Sequence, residues 1–329
     1  MKWMTTDDFT ETYAKLVQRG FGFIASKFRL RGSERTLSAF NDSAIHASNW
    51  WIIPAVRRRW NRFMTGIGDT PYEDYIVKKY LQGGRDLSLL SLGSGTCSHE
   101  IRFARHPVFR EVRCVDLAGN LLEKARKESD RLGLKNLVLV QGDARTVELE
   151  ALHFDVILFH SSLHHFRDID GLIGGRILNC LKEDGILVVN EYVGPNRLQY
   201  PASQIRAVNR ALQGIPESYR RRYRLRMHKT RVSGPGFLRM LISDPSEAVE
   251  SEKIMDTLEK YLEPAELKPY GGNLLMPVLK DIAHHFTADT PETERILGQL
   301  FEAEDQYLET VKSDFVFAVY RKRTKSPRP

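Results

Sequence analysis

Two kinds of apolar pattern alternate along the middle of the chain. Short, nearly continuous apolar runs predict buried strands at 87–92, 112–117, 136–144, 154–160 and 186–193. Between them, stretches such as NLLEKARKESDRLG place apolar residues three and four positions apart, which predicts amphipathic helices. Strands that are apolar on both faces are typical of a parallel sheet covered by helices. The pattern therefore predicts a doubly wound α/β core.

The chain divides into four predicted parts. They are a helical N-terminal cap at 1–82, a core at 83–193, a basic helical insertion at 194–263 and a C-terminal return to the core at 264–329. In the N-terminal part, apolar residues recur at helical spacing at Phe21, Phe23, Ile24 and Phe28. We expect the N-terminal helices and the insertion to cover the pocket of the core.

The segments after residue 193 carry further signals. The basic sequence ESYRRRYRLRMHKTR at 217–231 predicts a solvated helix with a thin apolar stripe. Strong amphipathic helices are predicted at 273–286 and 291–311, and strands at 265–271 and 314–323. The last two strands would complete the sheet of the core.

Charge is concentrated in one part of the chain. The net charge is +7, and the stretch from Gly194 to Val232 contains ten basic residues against the single acid Glu217. Such a cluster has three readings: a solvated face, a surface for nucleic acid or an anionic membrane, or a site for an anionic small molecule. Because no RNA-binding module accompanies it, nucleic acid is disfavoured.

The sequence also bears on location. No apolar run approaches the roughly 20 residues that span a bilayer. The first residues carry acids where a signal peptide would carry a basic and then an apolar stretch. Cys97, Cys114 and Cys180 are scattered and form neither a metal motif nor a disulfide framework, which suits a reducing cytoplasm. We therefore expect a cytoplasmic protein.

A glycine loop follows the first predicted strand. Gly93 and Gly95 lie where the backbone must turn sharply into a helix and expose its N–H groups to a ligand. A lone G-x-G is a weak signal, because an ordinary strand-to-helix turn also explains it. The nicotinamide-binding motif has a third glycine at the position that Ser98 occupies here. A P-loop would require a lysine after the loop, and none follows.

Two acids follow at the ends of the next strands. Asp116 ends the second strand 21 residues after Gly95, where an acid can accept hydrogen bonds from ribose hydroxyls. That position fits NAD and S-adenosylmethionine equally well. Asp143, within Gly142-Asp143-Ala144, places a second carboxylate at the same sheet edge, within reach of an adenine amino group. A helix N-cap is the alternative reading of Asp143.

Together these features resemble the class I S-adenosylmethionine-dependent methyltransferases. The resemblance implies a Rossmann-like sheet of seven strands, the last one antiparallel, with a helical cap and an insertion after strand five. It implies cofactor contacts from Gly93, Ser94, Gly95, Asp116, Leu117, Asp143, Ala144 and His160. The chain departs from the family pattern at two positions, with Ser91 in place of a frequent acid and Cys97 in place of a third glycine.

A narrower resemblance concerns the later segments. NEYVGPNRLQYP, SDPSEAV, KPYGG and SDFVFAVYRK are similar to a bacterial group of small-molecule methyltransferases linked to sugar-related and secondary-metabolite pathways. These motifs do not name the acceptor.

Acceptor chemistry is expected at the ends of strands four and five. His164, in FHSSLHHF, can act as a general base for a hydroxyl acceptor, although a role in shaping the loop explains it as well. Tyr192 is a second catalytic candidate. Substrate contacts are expected from Glu191, Asn196, Arg197 and Gln199, unless the last three form a solvated loop. FHSSLHH replaces the carboxylate-rich metal site of catechol-type enzymes, so no metal is expected.

The sequence thus predicts methyl transfer from S-adenosylmethionine to an oxygen, or as second choice a nitrogen, of a small polar metabolite. Two other hypotheses stay open. One is an RNA methyltransferase that docks through the basic insertion, and the other is a cofactor-binding protein without transfer activity.

Overall fold

We describe a computed structural model of the chain, covering residues 2–19 and 48–323. The predicted N-terminal helix around Phe21 to Phe28 lies outside these described residues. Over the described ranges, no helix has both the length and the apolar character that crossing a membrane requires.

The described part of the chain contains one seven-stranded sheet. Its strands are β1 Leu87–Leu92, β2 Phe109–Asp116, β3 Leu137–Gln141, β4 Phe154–His160, β5 Leu181–Tyr192, β6 Leu262–Gly271 and β7 Phe315–Lys322. They lie side by side in the order β3-β2-β1-β4-β5-β7-β6. The pairs β2–β3, β1–β2, β1–β4 and β4–β5 are parallel, and the last strand is antiparallel. The seven-stranded, doubly wound prediction is confirmed.

Helices connect and cover the strands. They are α1 Thr6–Arg19, α2 Pro54–Thr65, α3 Tyr72–Tyr80, α4 Ser98–Ala104, α5 Gly119–Arg131, α7 Ala202–Gln213, α8 Phe237–Ser243, α9 Ile254–Tyr261, α10 Leu275–Leu279 and α11 Pro291–Leu308. Between α5 and α7, α6 runs without a break through Ile169–Gly171, the π-helical Leu172–Ile177 and Leu178–Cys180. The glycine pair Gly174-Gly175 lies within the π-helical part.

The described residues form two compact units. The sheet unit comprises the described residues within Thr70–Val193, Glu250–Lys268 and Val316–Pro329. The helical unit comprises the described residues within Met1–Asp69, Gly194–Val249 and Pro269–Phe315. The four-part division of the sequence, with 194–263 covering the acceptor, stays a prediction.

The central strands of the sheet unit are apolar because both of their faces are buried. Ile157 of β4 lies opposite Leu90 of β1 and Leu187 of β5, and all three are fully buried. Ile173 and Ile177 of α6 belong to the same core cluster. This packing fixes the register of β1, β4 and β5, so that their carboxyl ends, and the loops that follow, meet at one edge of the sheet.

The prediction of a helix at 217–231 is wrong. After a short 3₁₀ turn at Glu217–Arg220, the chain forms a tight hairpin in which Arg221 pairs with His228. The backbone N–H of Arg222 donates to the Met227 carbonyl at 2.8 Å. Two of the basic side chains are buried, not solvated: Arg222 forms an ion pair with Asp281 at 2.5 Å, and Lys229 is 3% exposed.

The predicted helix at 273–286 is also shorter than expected. α10 ends at Leu279, and a separate 3₁₀ turn follows at Ala283–Phe286. The Lys229 ammonium donates to the carbonyls of Pro277 at 2.7 Å, Val278 at 3.1 Å and Lys280 at 2.7 Å. These carbonyls would accept backbone bonds if the helix continued, so the buried lysine ends it.

Replacing Lys229 by Met is expected to destabilise the helical unit by about 3 kcal/mol, because three carbonyls lose their hydrogen-bond donor. Urea unfolding followed by circular dichroism measures the loss. The matched control is Lys253→Met, whose side chain is 65% exposed and pairs only with Glu250 at the surface, where about 0–1 kcal/mol is expected. Equal losses of unfolding free energy in the two variants would show that the buried Lys229 stabilises the fold no more than an exposed lysine does.

Glu304 of α11 holds the start of α10 in the helical unit. Its fully buried carboxylate accepts from the N–H groups of Gly272 at 3.0 Å, Leu274 at 3.0 Å and Leu275 at 3.1 Å, all at Oε1. Oε2 is buried and has no hydrogen-bond partner among the described residues. Burial raises the pKa of Glu304 to about 7.

This raised pKa predicts a pH dependence of folding. Because the folded pKa exceeds the ordinary 4.5, the protonated Glu304 favours the fold below pH 4.5, and its contribution is lost as the pH rises to about 7. The loss is up to about 3 kcal/mol. Glu304→Gln stays neutral and should lack it. Unfolding free energies at pH 5 and pH 7.5 test this, and equal pH dependence in both proteins would contradict it. Asp314 also has a pKa raised to about 6, but it is present in the native protein and in Glu304→Gln and adds the same pH dependence to each.

Candidate functional site

The loop between β1 and α4 has a left-handed backbone at three positions. Gly93 has φ 75°, Gly95 has φ 55° and Cys97 has φ 54°. A Cβ at Gly93 would lie 2.8 Å from Cβ of Ser162, whereas one at Gly95 would meet nothing within 4 Å. Gly93 therefore allows the loops after β1 and β4 to approach, and Gly95 leaves an open face of backbone.

Cys97 explains one departure from the family pattern. It occupies the position of the third glycine, and it adopts the left-handed conformation that glycine favours. Its side chain is fully buried. The loop thus keeps the expected backbone without the expected residue.

Asp116 ties the end of β2 to this loop. Its Oδ2 accepts from the Gly95 N–H at 2.7 Å, and its Oδ1 accepts from the Ala118 N–H at 2.7 Å. The residue is 8% exposed, and burial raises the pKa of its carboxyl group. Each carboxylate oxygen has a further lone pair, so the group can also accept from the two hydroxyls of a ribose.

Two buried hydroxyls at this edge have no nitrogen or oxygen partner among the described residues. They are Oγ of Ser94, in the glycine loop, and Oγ of Ser162, in the loop after β4. Buried hydroxyls in proteins are nearly always hydrogen-bonded. Together with the open backbone face at Gly95, these two groups fit a cofactor that brings its own polar atoms to the loop.

The end of β3 is arranged differently. Asp143 accepts from the backbone N–H of Arg145 at 2.9 Å and from its guanidinium at 2.6 Å, which lowers the pKa of Asp143. Its carbonyl accepts from the N–H groups of Thr146 and Val147. Ala144 is buried in the core, and Leu117 at the end of β2 is half-buried. Contacts of Asp143, Ala144 and Leu117 with adenine or ribose stay predictions.

His160, at the end of β4, belongs to a cluster that the sequence did not reveal. Its Nδ1 lies 3.0 Å from the Tyr72 hydroxyl, and its ring stacks on His99 with 3.5 Å between centroids. His99 in turn donates to the buried Glu73 at 2.6 Å. Burial, reinforced by the charge of His99, holds the pKa of His160 well below 6.5, so the ring stays neutral.

Tyr72, Glu73 and His99 are functional candidates that sequence reasoning missed. Tyr72 and Glu73 begin α3, and His99 lies in the first turn of α4. The available signal was His99, which closely follows the glycine loop. Nothing local in the sequence shows that α3 brings Tyr72 to His160.

The predicted residues of strands four and five form one buried cluster. His164 donates from Nδ1 to Oε2 of Glu191 at 2.7 Å. Oε1 of Glu191 accepts from the backbone N–H groups of Leu163, at 2.6 Å, and Ser162. The ring of Tyr192 lies edge-on to His164, with 6.1 Å between centroids. His164, Glu191 and Tyr192 are therefore brought together by the structure.

The remaining predicted substrate residues belong to the helical unit. Arg197 is buried, and its guanidinium donates to the Glu247 carbonyl at 3.2 Å. The side-chain amide of Gln199 donates to the Pro235 carbonyl at 2.9 Å. Asn196 begins a 3₁₀ turn and is half-buried. The bonds of Arg197 and Gln199 hold the local backbone, and an acceptor contact of these three residues stays a prediction.

The strand order, the glycine loop after β1 and the acid at the end of β2 define the class I methyltransferase fold. A family model described as a methyltransferase domain matches residues 84–267, more than half of the chain. The chain therefore belongs to the methyltransferase family.

Known proteins similar to the chain include the methyltransferase YcgJ of Bacillus subtilis strain 168. It is 25% identical over 144 residues, which cover 39% of this chain and 56% of YcgJ. The chain thus spans about half the length of this curated relative. Among solved structures, the (4+2)-cyclase SpnF has a TM-score of 0.49 at 17% identity, covering 88% of this chain and 94% of SpnF. Phosphoethanolamine N-methyltransferase 2 of Haemonchus contortus with S-adenosyl-L-methionine has 0.48 at 16%, covering 77% and 52%.

Proposed function

We propose that the enzyme transfers the methyl group of S-adenosylmethionine to a hydroxyl oxygen of a small polar metabolite. The observation that supports this proposal most directly is the position of His164. It lies two residues after Ser162, the residue that Gly93 of the glycine loop approaches most closely. This position supports the proposal of a catalytic base at the sheet edge where the cofactor is expected to bind.

The cofactor supplies an activated methyl group on a sulfonium, and the protein must align the acceptor and exclude water. Gly93, Ser94, Gly95 and Asp116 would hold the cofactor. A hydroxyl must lose a proton as its oxygen is methylated. We propose that His164 takes that proton, because its imidazole lies at this edge of the sheet and its Nδ1 is bonded to the Glu191 carboxylate. A nitrogen acceptor, the second choice, would depend less on a base.

The finer features of the acceptor remain proposals. We propose a small polar metabolite of sugar-related or secondary metabolism, neutral or anionic, contacted by Asn196, Arg197 and Gln199, in an enzyme that works without a metal. A cytoplasmic location is supported by three cysteines that are all free and buried. The burial of Arg222 and Lys229 weighs against RNA docking, because part of the basic segment serves the fold.

One experiment tests the function as a whole. Metabolite extracts from host cells with and without the gene are compared by mass spectrometry after incubation with the protein and methyl-labelled S-adenosylmethionine. We expect a labelled product heavier than its precursor by one methyl-for-hydrogen replacement. Label that appears in RNA would favour the RNA hypothesis. Cofactor binding without any labelled product would favour a non-catalytic binding protein.

A further inference from the structure

The acids of helix α1 are turned towards the rest of the helical unit. Oδ2 of Asp7 accepts from the Ser233 N–H at 2.8 Å. The carboxylates of Asp8 and Glu11 both form ion pairs with the guanidinium of Arg239. Every acid of α1 therefore has a partner within the unit.

The same helix, the residues before it and α8 expose large apolar side chains. Six of them, each between 36% and 64% exposed, form what we call the apolar patch: Trp3, Met4, Phe9, Tyr13, Leu238 and Leu241. The backbone joins its two parts, because the Leu238 N–H donates to the Trp3 carbonyl at 3.2 Å. An exposed apolar patch with a polar rim is typical of a surface that binds a partner.

The helical unit also carries basic charge that its described residues do not neutralise. Five exposed arginines form no ion pair or side-chain hydrogen bond within the described part of the chain: Arg206, Arg210, Arg224, Arg226 and Arg231. Glu217, the single acid of this segment, lies 3.4 Å from His228. The positive charge of these arginines is therefore available to an anionic partner.

Hydrogen bonds place the arginines beside the apolar patch. Asn209, which precedes Arg210 in α7, exchanges two hydrogen bonds with Val232, at 2.7 Å and 2.8 Å. Val232 follows Arg231 in the chain and precedes Ser233, the residue that bonds to α1. The basic residues and the exposed apolar side chains are therefore neighbours on the surface of one unit.

This combination fits a lipid surface. Proteins that lie on a membrane insert apolar side chains between the head groups and the acyl chains, and basic residues beside them attract anionic lipids. Arginine also binds a phosphate with two parallel N–H groups. We propose that the apolar patch and the five arginines bind the surface of an anionic membrane, on which the protein lies without crossing it. This property is separate from methyl transfer.

The aromatic rings of the basic segment speak against nucleic acid as the partner. Tyr219 packs on Phe286, with 5.7 Å between centroids, and Tyr223 packs on His284, with 5.1 Å. Single-stranded nucleic acid is bound by free aromatic rings on which bases stack. Both rings are engaged within the unit, and the aliphatic members of the apolar patch suit acyl chains better than bases.

Sedimentation with vesicles tests the proposal on the full chain. The protein is mixed with vesicles of phosphatidylglycerol and phosphatidylcholine in equal parts, or of phosphatidylcholine alone. We expect at least roughly tenfold tighter binding to the anionic vesicles, and a steep loss of this binding as salt is added. The triple variant Arg206→Gln, Arg210→Gln, Arg231→Gln should bind about 100-fold more weakly, because each basic residue near an anionic surface contributes about fivefold.

The apolar part of the surface is tested separately. Trp3→Ala should weaken vesicle binding by about tenfold, because the inserted ring is lost. Quenching of tryptophan fluorescence by brominated lipids should also fall in this variant. Phe9→Ala repeats the test on α1 itself, and thermal unfolding followed by circular dichroism shows that each variant is folded.

Matched controls separate this surface from charge and aromatic content in general. Lys124→Gln, Arg126→Gln, Lys127→Gln removes the same charge from exposed positions of α5. Trp51→Ala removes a half-exposed ring elsewhere in the helical unit. Both controls should bind the vesicles as the native protein does.

Four results would overturn the proposal. They are no binding to anionic vesicles, equal binding by the native protein and the triple arginine variant, retention of RNA without vesicle binding, and self-association that Trp3→Ala abolishes in the absence of lipid. The third would assign the arginines to nucleic acid, and the fourth would assign the apolar patch to a second copy of the chain. None of these measurements needs the methyl donor, so they stand whether or not the proposed function does.

Discussion

Replacing His164 by Gln is expected to slow methylation of a hydroxyl acceptor by about 100- to 10,000-fold, the usual contribution of a general base. The affinity for the cofactor should stay nearly unchanged, because no cofactor contact is assigned to this ring. The rate is measured with the labelled acceptor identified from the metabolite extract, and the affinity by calorimetry with S-adenosylhomocysteine.

The matched control is His165→Gln. The ring centroids of His165 and His164 are 4.2 Å apart, but the hydrogen bond to the Glu191 carboxylate is made by His164. We expect a far smaller loss in this variant. Equal losses in both variants would mean that the two histidines only shape the loop. Full activity of His164→Gln would contradict base catalysis and would favour a nitrogen acceptor.

The second large effect is expected at Asp116. Asp116→Ala should weaken binding of S-adenosylhomocysteine by about 100-fold or more, because two hydrogen bonds to a charged acceptor are lost, each worth about 1.5–3 kcal/mol. Calorimetry measures the dissociation constant. Asp130→Ala, the same change at an exposed site on α5, should bind as the native protein does.

Asp116 also holds the backbone N–H groups of Gly95 and Ala118, so its loss can disturb the loop itself. Asp116→Asn keeps one acceptor oxygen and nearly the same shape. We expect an intermediate affinity from it, with a thermal unfolding midpoint close to the native one. Native affinity in both variants would refute the assignment of Asp116 to the ribose.

The sheet was predictable because its signals are local. The strands at 87–92 and 154–160 have the predicted bounds, since each is a continuous apolar run, and the runs are ended by Gly93 and by the polar residues after His160. The basic segment at 217–231 was not predictable in the same way. Its hairpin depends on Lys229 reaching the carbonyls of α10, almost 50 residues further along the chain.

In the candidate site, too, some features could be predicted from the sequence and others could not. Residues at strand ends could be named from the sequence, because a parallel sheet brings its carboxyl ends to one edge. The partners of those residues could not, because they depend on distant packing. Tyr72 meets His160 across 88 residues of sequence, and Glu191 meets His164 across 27. The sequence thus located Glu191 correctly at the edge but could not reveal that it faces the histidine.

The strand order also has a consequence for biosynthesis. β7 lies between β5 and β6, although it is the last of the seven to be made. Until Phe315–Lys322 leaves the ribosome, β5 has an open edge, and the backbone groups of that edge can pair with a strand of another nascent chain. Premature termination before residue 315 should therefore yield aggregates, and chaperones that shield strand edges should matter most late in translation.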